Sequence, residues 1–97
     1  MYSPDELRQL QALVAQWQAG DWHAAHNGVQ HHPGLLAAWL HGILHLQEGD
    51  LEDAENWYDR AGKRFRQRET WDQELAQLEA ALAQAMEESL AAGAASA

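Results

Sequence analysis

Cysteine is absent from the 97-residue chain, which excludes a disulfide framework, a thiolate metal site and a cysteine nucleophile, and leaves nothing that signals an oxidising compartment. Long apolar runs are missing too, since no stretch approaches the roughly eighteen uninterrupted apolar residues of a membrane helix. The opening residues Met1-Tyr2-Ser3-Pro4-Asp5-Glu6 have neither the basic start nor the apolar run of a secretory signal. These absences predict a cytoplasmic protein that does not span a membrane. Positive charge is scarce: six Lys and Arg stand against fifteen Asp and Glu, a net charge of −9. That balance repels nucleic acid and anionic lipid at long range, so neither is expected as a partner. Enzymatic signatures are equally thin. There is no Gly-rich phosphate loop and no His-Glu-x-x-His, and Ser3 and Thr70 read as helix caps rather than nucleophiles. No reaction is implied.

What is present suffices for one small domain. Hydrophobic residues are 46% of the chain and charged ones 22%, which argues for a folded core, and the length allows only one. No alternation of β-branched residues occurs, so the reading is all-α. Ser3-Pro4-Asp5-Glu6 combines a cap, a proline at the first helical position and a capping-box glutamate, and it opens a first helix carrying Leu7, Leu10, Val14 and Trp17. Gly20 stops that helix and Asp21 caps a second, with Trp22, Ala25 and Val29, which His31-His32-Pro33-Gly34 ends. A Leu-rich third helix is expected over Leu35 to Glu48, followed by Gly49 and the cap Asp50. The fourth carries Leu51, Ala54, Trp57, Tyr58, Ala61 and Phe65 and frays in a basic stretch. Thr70-Trp71-Asp72-Gln73, another capping box, launches a long fifth helix with the stripe Trp71, Leu75, Leu78, Leu82 and Met86. Residues 1–90 form the domain, and the Ala-rich tail 91–97, which has no large side chain to bury, is expected to be disordered.

Sliding the chain on itself by 29 residues sets Gly20-Asp21 on Gly49-Asp50, Ala25 on Ala54, Leu10 on Trp39, Val14 on Ile43 and Trp17 on Leu46. The pattern predicts two antiparallel helical hairpins followed by a long C-terminal capping helix. Gly42 with Gly49-Asp50-Leu51, Ala54, Tyr58 and Ala61 resembles the tetratricopeptide (TPR) repeat, with a 29-residue lag instead of the usual ~34 and Arg66 where a closing proline is expected. The string Glu48-Gly49-Asp50, Ala54, Trp57-Tyr58, Arg60-Ala61-Gly62 is also similar to a group of short uncharacterised bacterial proteins. The TPR resemblance implies a scaffold that binds peptides or partner proteins on a concave surface.

Three groups of residues are candidates for function. The inner stripe, with Leu36, Trp39, Ile43 and Leu46, could receive a partner or a second copy of the chain as a homodimer. Alternatively the fifth helix fills it. Five of the six basic residues, Arg60, Lys63, Arg64, Arg66 and Arg68, fall within nine positions. They either complement the end of the fourth helix or dock an acidic partner. His41 and His45, one helical turn apart with Glu48 beyond, fall in the TPR register on the side that packs against the fourth helix. With His26 they could hold Zn, Ni or Cu, or else pack and hydrogen-bond Tyr58, Glu48 or a backbone carbonyl. His23, His31 and His32 read as solvated. The expected function is therefore a small non-enzymatic interaction module, with a metal- or ligand-binding protein as the alternative.

Overall fold

The computed structural model describes residues 2–96, which are largely helical and contain no strand. Five α-helices follow in order, α1 Pro4–Gln18, α2 Trp22–Val29, α3 Leu35–Glu48, α4 Leu51–Arg60 and α5 Trp71–Ser96, with a 3-10 turn at Phe65–Gln67. α1 pairs with α2 and α3 with α4 as antiparallel hairpins, α2 lies on α3, and α5 crosses α1 and α3. No helix among the described residues is long and apolar enough to cross a membrane.

The helix starts follow from local chemistry. Ser3 Oγ accepts from the Glu6 amide at 3.1 Å while Glu6 Oε1 accepts from the Ser3 amide at 3.2 Å, so two free donors are satisfied reciprocally. The two hairpin turns share one hydrogen-bond pattern: Gly20 and Asp21 donate to Trp17 and Gln16, and Gly49 and Asp50 donate to Leu46 and His45, all within 2.9–3.1 Å. The side chains of Asp21 and Asp50 then accept from the amides of Ala24 and Asp53. α3 begins differently. Its cap is Gly34, which has no side chain to offer. The hydroxyl of Tyr2 takes over, accepting from the amides of Leu36 and Ala37 at 3.1 Å and donating to the Pro33 carbonyl at 2.8 Å. Gly34 is required there twice, because its φ is +98° and because a Cβ would fall 2.3 Å from that hydroxyl.

Leu7, Leu10, Val14 and Trp17 of α1 meet Trp39, Leu40, Ile43 and Leu44 of α3 in one core, which α5 closes with Leu75, Leu78 and Leu82. At the edge of this seam Trp71 stacks on Trp17, centroids 5.8 Å apart. The inner stripe is thus covered by the chain's own last helix, which answers the alternative the sequence left open. α4 ends at Arg60 rather than running to Phe65, since Gly62 takes a left-handed φ of +72° and Lys63 N–H closes onto the Tyr58 carbonyl. At the other end α5 continues through residues 91–96, expected from sequence to be disordered, while Ala97 lies outside the described residues. Alanine has the highest intrinsic helix propensity, and an established helix propagates through it without needing anything to bury.

Two buried contacts hold the helices in register. A Cβ on Gly42 of α3 would lie 2.6 Å from Cδ1 of Tyr58 and 3.3 Å from Cβ of Trp57, so α3 and α4 approach as closely as a glycine permits. Across the seam Glu74 of α5, 5% exposed, accepts from Tyr58 Oη at 2.6 Å and Trp39 Nε1 at 3.2 Å, and its second oxygen accepts from the Glu69 amide. A buried carboxylate is tolerated where several donors converge on it. No buried side-chain nitrogen or oxygen among the described residues lacks a partner.

Gly42→Ala is expected to destabilise by about 1–3 kcal/mol, because the ring it meets is pinned at its far end. Gly93→Ala, which meets nothing within 4 Å, should instead leave stability unchanged or slightly raised. Thermal melts of the two variants check the contrast. Glu74→Ala should cost about 2–5 kcal/mol in urea denaturation, since it strands the buried Tyr58 and Trp39 donors, and Glu74→Gln should cost less because it keeps an acceptor.

Candidate functional site

The face of α3 opposite the α5 seam carries His41 and His45, 4% and 7% exposed. Their i, i+4 spacing stacks the two rings, centroids 5.0 Å apart. α2 brings half-buried His26 against them, its ring edge-on to His41 at 4.8 Å and to His45 at 5.1 Å. Two tryptophans fix the group. Trp22, one turn before His26, stacks on it at 4.7 Å and 11° and ties α2 to α3 by donating Nε1–H to the Leu44 carbonyl at 3.0 Å. Trp57 of α4 stacks on His41 at 3.8 Å and 13°. Each of the three imidazoles offers one ligand atom, and these atoms all lie within 4.8 Å of one another.

The hydrogen bonds set the tautomers. His45 Nδ1 lies 2.5 Å from Glu48 Oε1, so Nδ1 carries a proton and Nε2 is the nitrogen left for a ligand. His26 Nδ1 lies 3.2 Å from Gln30 Nε2, and His26 Nε2 lies 3.2 Å from His41 Nε2. With the Gln30 amide donating, a proton chain runs from Gln30 through His26 to His41 and every ring nitrogen in it is matched. With the amide turned over, Nδ1 of His26 donates to Gln30 and its Nε2 accepts from His41 Nε2–H, or, where His41 carries its proton on Nδ1, two Nε2 lone pairs face each other. Two nitrogens on one tetrahedral ion, each about 2.0–2.1 Å from it, stand about 3.3 Å apart. The spacing at His26 and His41 suits either state.

Burial holds His41 well below the ordinary histidine pKa, at about 3, reinforced by His26, His45 and Arg60 nearby. His26 is lowered as well, chiefly by burial and then by His45. These rings are neutral at pH 7, as metal ligation requires.

All four residues picked from sequence as metal ligands come together, with one change of role. Glu48 is bonded to Nδ1 of His45 and stands outside the three-histidine set. A carboxylate bonded to one nitrogen of a histidine fixes the orientation of that ring. The packing alternative has the histidines bonded to Tyr58, Glu48 or a backbone carbonyl: the His45–Glu48 bond fits it, whereas the Tyr58 hydroxyl goes to Glu74 and burial raises its pKa. His45 also lies near Asp50 and Asp53 at the start of α4, where Asp50 is already occupied as a cap. His23 and His31 are exposed, as expected, whereas His32 is half-buried and lines the cleft beside His41.

The residues named for partner binding do not form one surface. Trp39 and Ile43 are buried under α5, and Leu36 and Leu46 are half-buried against the core. Arg60 and Lys63 are exposed but seated on rings, the guanidinium 4.4 Å from the Trp57 centroid and the ammonium 3.9 Å from that of Trp39. Arg64 lines a cleft with Lys63, Arg68 and Glu74, whereas Arg60 borders a different one, beside His41. Sequence reasoning overlooked Trp22, Trp57 and Gln30 as the frame of the cluster. The signal was available for Trp22, which precedes His26 by one turn.

Fold and site together define a class: a small helical-hairpin protein with a buried three-imidazole cluster. Comparison with family models, curated proteins and solved structures gave no match for this chain.

A histidine whose folded pKa is depressed binds its proton more readily in the unfolded chain. Stability is therefore complete above the unfolded value of about 6.5 and falls as pH drops toward the folded value, by up to about 1.4 kcal/mol per pH unit for one such group. Chemical denaturation between pH 7 and 5 should show this decline in the wild type, and His41→Gln should flatten it.

Proposed function

We propose that this protein binds a divalent transition-metal ion, Zn, Ni or Cu, through His26, His41 and His45, with Glu48 orienting His45. One observation carries the reading: three imidazoles from two helices, framed by stacked tryptophans, present ligand atoms within 4.8 Å of one another. Imidazole suits all three metals, and three nitrogens leave an ion with an open coordination position. Zinc needs no redox partner and accepts this set without geometric demand, so it is the natural probe. The site draws its rigidity from the scaffold, because α3 contributes two ligands at fixed helical spacing and α2 is bonded to α3 through Trp22.

The two turns with matching hydrogen bonds support a TPR-like origin for the hairpins. The peptide-binding role that accompanies that scaffold has no such support, because α5 occupies the inner face.

Purified protein stripped with chelator should bind one equivalent of Zn(II) by calorimetry and be stabilised by RT ln(1 + [Zn]/Kd), seen as a higher melting temperature. His41→Gln and His45→Gln should abolish the shift, whereas His31→Gln should retain it. A shift of equal size in all four proteins would place any zinc elsewhere and overturn the reading.

A further inference from the structure

We propose that the cleft beside His41 binds a small organic carboxylate that completes the coordination of the bound metal, with Arg60 receiving the carboxylate group. The proposal rests on the metal-binding reading and names its second ligand.

The cleft runs between the Val29–Gly34 connection, the start of α3 and the end of α4, and encloses about 240 Å³, below the ~300–1,000 Å³ of drug-sized pockets. A ligand of few atoms is the scale it sets. Two of its lining residues reach the imidazole cluster: His41 is itself one of the three, and Gln30 is the residue bonded to His26 Nδ1. Occupancy here is therefore coupled to the cluster by contact. The floor is apolar, with Val29 and Ala38 almost fully buried, and the Trp57 face forms one wall.

The electrostatics point to an anion. The chain carries fifteen acidic residues, yet no aspartate or glutamate lines this cleft, while Arg60 and His32 do. Arg60 is held over Trp57, the same ring that stacks on His41, so its fork is preorganised at the border of the cleft. One guanidinium matches one planar carboxylate in bidentate fashion, and the apolar floor suits a short carbon chain. A phosphate would find one arginine where its charge favours several. The other basic cleft, at Lys63, Arg64 and Arg68, already contains the Glu74 carboxylate and does not touch the cluster.

Cobalt(II) substitution makes the site visible. The full-length protein loaded with one equivalent of Co(II) should give d–d absorption bands, and titration with acetate should shift them saturably. Arg60→Gln should weaken the acetate response by about tenfold, the loss of the charge-assisted contact, with cobalt still bound, since removing a nearby positive charge does not weaken a cation site. Lys63→Gln should change neither. Absence of protein-bound cobalt bands in the wild type overturns the metal reading and this proposal with it. Cobalt bands that ignore acetate, respond more strongly to inorganic phosphate, or weaken equally in Lys63→Gln overturn this proposal alone.

Discussion

Tyr58 joins three helices, and most of the architecture depends on where it sits. Its ring lies against the bare backbone of Gly42, which sets the separation of α3 and α4, and its hydroxyl ends on Glu74, which fixes α5 over the seam. The same close approach brings Trp57, its neighbour on α4, within stacking distance of His41. One contact between a glycine and an aromatic thus governs both the closure of the core and the placing of the indole on which His41 stacks. The hydrophobic burial around it supplies the driving force, but burial alone has no direction. The hydroxyl–carboxylate bond supplies the register.

The basic stretch after α4 takes on a different meaning in three dimensions. In sequence it is a cluster of like charges suited to docking an acidic surface. In the fold, Arg60, Lys63 and Arg68 are separated and each is placed over a different ring, Trp57, Trp39 and Phe65. Aromatic faces at the edge of the core stay half-covered by long cationic side chains, which keep their charge in water while their stems shield apolar surface. The positive window therefore belongs partly to the structure of the α4–α5 connection. Arg60 differs from the others only in bordering the His41 cleft.

Much of this was legible in the sequence, for identifiable reasons. Caps such as Ser3, Asp21 and Asp50 act within three residues, so their signals are local, and the apolar stripes obey helical periodicity. The His41/His45 pair was legible on the same ground. Tyr2 was not, because its partners lie more than thirty residues away and no pattern announces a side chain that caps a distant helix. Glu74 could have been noticed as a charged residue on the buried stripe between Trp71 and Leu78, where helical spacing places it inside. The spacing of Glu48 from His45 fits both a ligand and a residue bonded to that histidine, and the fold shows the second arrangement, a bond to His45 Nδ1. The Ala-rich tail has no side chains to bury, yet helix runs through Ser96, because alanine's propensity lets a helix extend without burial.

The tryptophans that frame the imidazoles have an optical consequence. Trp22 and Trp57 lie face to face with His26 and His41, closer to the cluster than any other indole. Protonation or ligation of an imidazole alters its ability to take an electron from an excited indole in contact with it. The ultraviolet emission of this protein therefore carries a record of the state of its histidines without any added label. Two of its five tryptophans serve as the detector, while Trp17, Trp39 and Trp71 in and beside the α5 seam provide a largely constant background.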